Sequence, residues 1–139
     1  MSISRKLFDS LMMHEGLRNK PYKDTNGHLT VGIGRNLDVN GLSDEECHYL
    51  FNNDLKKCQR QLETVYWYRN LDEVRREVMI ELCFNLGLRG LLGFKLMIQH
   101  IMAKNFEYAA YELLDSKWRK DVGPNRAHNV SERLRTGRY

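Results

Sequence analysis

Little in this chain could be stapled, metallated or inserted into a bilayer. Its three cysteines, Cys47, Cys58 and Cys83, are an odd number without C-x-x-C spacing, so no disulfide framework or zinc site is written into them. Each falls where a helix would place an apolar side chain, and a free cysteine there behaves as a small buried hydrophobe. Reduced thiols fit a cytoplasmic origin. The five histidines, His14, His28, His48, His100 and His128, form no pair at metal-ligand spacing. We therefore expect no metal and no cofactor, and place the histidines on the surface or in a cleft. No apolar run approaches the roughly eighteen residues of a membrane span, which argues against stable membrane insertion. The N-terminus lacks the charged-then-apolar pattern of an export signal, because Arg5, Lys6 and Asp9 interrupt it. Internal repeats, low-complexity segments and flexible linkers are also missing.

What is present suits one modest domain: 139 residues, 42% of them hydrophobic, are enough to bury a real core. The net charge is +4 and is unevenly spread. Between residues 117 and 139 stand Lys117, Arg119, Lys120, Arg126, Arg133, Arg135 and Arg138, against Asp121 and Glu132. Such a face either attracts an anionic surface by long-range steering or is simply a solvated helix face. Nucleic acid is not expected, since no recognition-helix pattern or aromatic–basic interleaving accompanies the charge.

Periodicity supplies the elements. Ile3, Leu7, Phe8, Leu11 and Met12 recur at helical spacing, so residues 3–14 read as an amphipathic helix stopped by Gly16. Ser43-Asp44-Glu45-Glu46 is a capping-box signature. The helix behind it carries Cys47, Leu50, Phe51, Leu55, Cys58, Leu62 and Val65 on one stripe and should end near residue 63. After a break from Trp67 to Asn70, a core helix starts at Asp72 and stops at Gly87. The stretch from Phe94 to Ala103 is short and apolar, and Phe106, Ala109, Ala110, Leu113 and Leu114 make a further stripe. Pro124 opens a last helix and Gly137 closes it. Trp118 reads as core.

Two carboxylates stand out. Glu15 lies in the last turn of the first helix, beside the negative end of its dipole, a setting that suits a group meant to hold a proton and then donate it. Asp24 follows in a Gly/Asn/Pro-rich hairpin. Two carboxylates brought together from a helix end and a neighbouring loop are what glycosidic hydrolysis needs. Asn26-Gly27 signals a two-residue turn, which would set Asp24 opposite Leu29 and on the other face from Thr30. A shared role for Asp24 and Thr30 needs a looser turn, and we expect the looser turn.

The run Glu15-Gly16-Leu17, Tyr22-Lys23-Asp24-Thr25-Asn26-Gly27 and Thr30-Val31-Gly32-Ile33-Gly34 resembles the phage-type lysozymes and endolysin muramidases. So do Leu50-Phe51-Asn52-Asn53-Asp54, Asp72-Glu73-Val74-Arg75-Arg76, Phe84-Asn85-Leu86-Gly87, Gly90-Leu91-Leu92-Gly93-Phe94, Ser116-Lys117-Trp118, Pro124-Asn125-Arg126-Ala127 and Arg135-Thr136-Gly137, in order along nearly the whole chain. The resemblance implies an α+β, mainly α fold in a single lysozyme domain over residues 1–139. A small trimmed β-hairpin lobe at 15–42 and a larger helical lobe at 70–139, with the N-terminal helix 3–15, would be joined by a long helix at 43–63. It implies a monomeric glycoside hydrolase that cuts the β-1,4 bond between N-acetylmuramic acid and N-acetylglucosamine in peptidoglycan. Such an endolysin would be made in the host cytoplasm and reach the wall after the inner membrane is breached.

By the same resemblance Glu15 is the general acid, Asp24 steadies the developing positive charge and helps activate a water, and Thr30 helps hold that water. Inversion follows, with the carboxyl groups roughly 6.5–9.5 Å apart. Phe84, Asn85, Asn36 and Glu112 would contact sugars. Arg126 would contact Glu15. Arg35, standing where the family has a histidine, would pair with Asp54 or else reach toward anionic wall groups. Only Arg35 to Leu42 remain where longer members carry an extra strand and short helix. A lytic transglycosylase on the same substrate, or a virion-associated or non-catalytic wall-binding component, are the alternatives; Asp24 and Thr30 favour hydrolysis.

Overall fold

The computed structural model describes residues 2–139. Contacts group the chain into two compact units, Met1–Tyr49 and Leu50–Tyr139.

In the first unit, helix α1 (Arg5–Glu15) begins at Ser4, whose Oγ accepts a hydrogen bond from the Leu7 N–H at 3.2 Å, a standard N-cap. Gly16 ends it with a φ of 74°. The apolar stripe forms, but Leu7, Phe8, Leu11 and Met12 are 37–51% exposed. Contacts place α1 in the unit that holds the strands; the resemblance groups it with the helical lobe.

Strands β1 (Arg18–Lys23), β2 (Leu29–Gly32) and β3 (Arg35–Asn36) form an antiparallel sheet in that order. Pro21 sits on the edge strand β1, where the register shifts between Arg18 and Tyr22, so its missing N–H costs the ladder nothing. Tyr22 pairs with Thr30 and Lys23 with Leu29. Residues 24–28 therefore close the hairpin, and the looser turn replaces the two-residue Asn26-Gly27 turn.

The trimmed segment holds more than a hairpin. Besides β3 it forms a single helical turn, α2 (Leu37–Asn40), because Asn36 Oδ1 accepts the Val39 N–H at 3.0 Å and Gly41, with φ 56°, ends the turn. Asp38 Oδ2 accepts the Leu29 N–H at 2.7 Å and ties α2 to the sheet.

The boundary between the units falls inside helix α3 (Asp44–Leu62). Its capping box is complete: the Glu46 N–H donates to Ser43 Oγ at 3.1 Å and the Ser43 N–H to Glu46 Oε1 at 2.8 Å. Cys58 and Leu62 are its buried residues. Leu50 and Phe51 are each 47% exposed, and Cys47 is exposed. Cys47 is thus not the buried hydrophobe that its position suggested: its turn of α3 belongs to a unit in which, among the described residues, the polar Thr30 alone is buried.

The apolar core lies in the second unit, around Leu62, Val78, Met79, Leu82, Leu113 and Trp118. A 3-10 turn, Tyr68–Asn70, fills the expected break. Helix α4 (Glu73–Leu92) is capped by Asp72 and leaves helical geometry at Gly87, with φ 74° and ψ 163°. The expected stop is therefore a break, after which the helix resumes. Helices α5 (Lys95–Met102), α6 (Phe106–Leu114), α7 (Trp118–Val122) and α8 (Pro124–Thr136) complete the unit. Pro124 opens α8 and Gly137, at φ 70°, closes it. Among the described residues no helix is long and apolar enough to cross a membrane.

Candidate active site

Glu15 is the last residue of α1 and is exposed. Its carboxylate lies on the backbone of Gly34: a methyl group at that glycine would stand 2.7 Å from Oε2 and 2.9 Å from Cδ. Gly34 belongs to the turn between β2 and β3 and has a φ of 73°, a region that glycine enters without penalty. The glycine-rich turn so visible in the sequence thus brings bare backbone up to a carboxylate.

Asp24 follows directly after β1. Its Oδ1 accepts the N–H groups of Asn26 at 2.9 Å and His28 at 2.8 Å, an Asx turn that organises the loop. The His28 N–H holds the Asp24 carboxyl below the usual carboxylate range; desolvation opposes it, while the Asn26 and Gly27 N–H groups and the His28 ring assist. Thr30 is 3% exposed and donates its hydroxyl to the His28 carbonyl at 2.9 Å. That carbonyl also receives the Asp24 N–H at 2.9 Å, so one peptide oxygen ties Asp24 and Thr30 together. Tyr22 faces Thr30 across the ladder, which puts positions 22, 24 and 30 on one face. Asn36 also lies opposite Thr30, with its Oδ1 used as the α2 cap.

Arg35 departs from expectation. Its guanidinium forks onto Glu46, with Nη1 at 2.8 Å from Oε1 and Nη2 bonded to Oε2, and Nη1 also donates to the Gly41 carbonyl at 3.1 Å. Within its own unit the partner of Arg35 is therefore Glu46, because the capping box already aims the Glu46 carboxylate back from the first turn of α3. The Arg35 guanidinium, helped by the Ser43 N–H, pulls the Glu46 carboxyl down to about 2. Asp54 is exposed on α3.

In the second unit, Arg126 donates to Glu81 at 3.3 Å and to Asn85 at 3.0 Å. Both partners belong to the same unit as Arg126. Glu81 also accepts from Arg133 at 2.7 Å, so one carboxylate serves two arginines. Phe84 packs edge to face on Phe51 with ring centroids 5.4 Å apart and is 42% exposed. Both phenyl rings, with Leu55, Ile80, Arg126 and Tyr139, line a groove of about 490 Å³. Glu112 lies half-buried on α6.

Three contributors were not read from the sequence: the His28 backbone, Glu46 and Glu81. Glu46 carried a signal, its place in the capping box, but that role absorbed it. The others act through backbone position or through one charge on a long helix, which leave no pattern.

The family model for phage lysozyme matches residues 12–135. Two relatives from Dictyostelium discoideum, probable T4-type lysozyme 1 and probable T4-type lysozyme 2, are 29% and 28% identical, over 93% and 94% of this chain and the same shares of their own. The pre-baseplate central spike protein Gp5 of Enterobacteria phage T4 is 26% identical over 93% of this chain, and the match takes up 27% of that longer protein.

Proposed function

The chain belongs to the phage lysozyme family, and from that premise we propose that it is a muramidase that cuts the β-1,4 bond between N-acetylmuramic acid and N-acetylglucosamine. That it is a lysozyme-type glycoside hydrolase of the cell wall follows from the family. Glu15 is the general acid, donating its proton to the leaving oxygen. Asp24, kept ionised by loop N–H groups, faces the developing oxocarbenium charge. Because the Thr30 hydroxyl gives its hydrogen to the His28 carbonyl, its lone pairs are left to accept from a water. Asp24 takes that water's second proton as it attacks, and the anomeric configuration inverts. The Asp24–His28–Thr30 linkage carries this reading, since it joins charge stabilisation to water positioning through one peptide carbonyl.

Phe84, Asn85, Glu112 and Asn36 are assigned to sugar contacts, and Arg126, Arg35 and Asp54 to their support. The protein works as one monomeric domain, made in a host cytoplasm and acting on the wall to lyse the cell.

The test is Glu15→Gln. The amide is isosteric but has no acidic proton, and general acid catalysis is typically worth ~10²–10⁴ in rate. The purified variant should keep its far-ultraviolet circular dichroism and lose clearing of permeabilised cells by that factor. Mass spectrometry of wild-type products should find reducing ends. Anhydro ends would mean a lytic transglycosylase, and no bond cleavage a wall-binding component.

A further inference from the structure

We propose that Glu46 is a positioning residue for the reaction: by gripping Arg35 it holds the turn from Gly32 to Arg35, and with it the Gly34 backbone, against the Glu15 carboxylate. The proposal rests on the reading of Glu15 as the general acid.

The turn has little else to fix it. Strand β3 contributes two ladder pairs, Thr30 with Asn36 and Val31 with Arg35. Gly32 and Gly34 both have positive φ, 71° and 73°, and glycine is the most pliable backbone available. Arg35 immediately follows the glycine on which Glu15 rests, and three hydrogen bonds anchor its guanidinium: two to Glu46 and one to the Gly41 carbonyl. Glu46 is a firm anchor, because it sits in the first turn of α3 with its backbone N–H on Ser43 Oγ and its Oε1 on the Ser43 N–H. A two-point fork between guanidinium and carboxylate fixes direction as well as distance. Loss of the fork leaves the turn hinged on two glycines, and a displacement of ~1 Å of a reacting group costs on the order of 10² in rate. Glu46 touches neither substrate nor reacting atoms in this scheme; it acts through Arg35 and Gly34.

Glu46→Gln separates positioning from folding. Glutamine keeps the capping box but loses the charge and one arm of the fork. On soluble, uncrosslinked peptidoglycan strands, with reducing ends as the readout, its kcat should fall on the order of 10- to 100-fold. KM should stay within about twofold and the melting temperature near wild type. Arg35→Gln should show the same fall, and the double variant no more than either alone. Wild-type kcat in folded Glu46→Gln overturns the proposal, as do additive losses. A loss that appears in KM or tracks a lowered melting temperature assigns Glu46 to binding or stability and also overturns it. Should Glu46→Gln fail to fold, Arg35→Lys takes its place: it keeps the charge and loses the fork, and wild-type kcat there overturns the proposal equally. Glu15→Gln is measured alongside. If it is active, the reading of Glu15 fails; if it is inactive while Glu46→Gln runs at full kcat, positioning alone fails.

Discussion

At the scale of single residues, glycine does two separable jobs here. Gly34 has a φ of 73° and a carboxylate where its side chain would be, whereas Gly123, with φ 90°, has nothing within 4 Å of that place. Alanine at either position pays the strain of a positive-φ backbone, ~1–3 kcal/mol. Only Gly34→Ala must also push Glu15 aside. We expect both variants to melt earlier by similar amounts, while Gly34→Ala alone loses lytic activity, by about 10-fold or more for a displacement approaching 1 Å. Calorimetry with turbidity clearing below the lower melting point checks this, and equal activity in the two would remove Glu15 from contact with Gly34. The cysteines give a second residue-scale expectation. Burial, assisted by the neighbouring Cys58 thiol, pushes Cys83 up to about 12, and a thiol is reactive only as its thiolate. Cys47 is exposed, while Cys58 and Cys83 are buried. An alkylating reagent should therefore add to Cys47 alone in the native protein and to all three after denaturation, as counted by intact mass.

Elements built from local signals were legible; those held by distant partners were not. The Ser43–Glu46 box, the Pro124 start and the Gly137 stop depend on residues within a turn of each other, and all appear as read. The hairpin was half legible, since Asn26-Gly27 marks the bend but the Asp24 side chain sets its length by accepting two loop N–H groups. Strand β3 and α2 escaped because a two-residue strand has no period and a four-residue helix has no stripe. The Glu46 fork on Arg35 escaped for a related reason: the capping role accounted for Glu46, and nothing local in the sequence marked it as a partner for Arg35. That clamp between β3 and α3 has a definite pH signature. Its carboxyl is depressed to about 2 in the folded protein, so it stabilises fully above the ordinary glutamate value, ~4.3, and is lost as pH falls through about 2. A carbon-detected NMR titration of Glu46 should find the low midpoint, and Arg35→Ala should return it toward ~4.3. An ordinary midpoint in the wild type would mean that the fork is not formed in solution.

For the molecule as a whole, the net charge of +4 was legible, but not its disposition. The basic C-terminal stretch allowed two readings, a surface that draws in anions or a solvated face, and pairing sorts its residues. Arg126 and Arg133 are taken up by Glu81, and Arg135 by Glu132. Lys117, Arg119, Lys120 and Arg138 are exposed and have no ion pair among the described residues. Three of these four lie in or next to α7, within four consecutive positions. Positive charge left unneutralised speeds encounter with an anionic polymer, and salt weakens the effect as the Debye length shrinks from ~10 Å at 0.1 M to ~3 Å at 1 M. Wall clearing by the wild type should therefore slow as salt rises. The triple variant Lys117→Gln, Arg119→Gln, Lys120→Gln keeps good helix formers in α7 and removes three charges. It should clear walls more slowly at low salt, respond less to added salt, and converge with the wild type near ~1 M, where those charges are screened. Its melting temperature should barely change, because exposed charges without partners contribute little to stability. Parallel salt responses in the two proteins would make this stretch a solvated face and leave wall encounter to other charges.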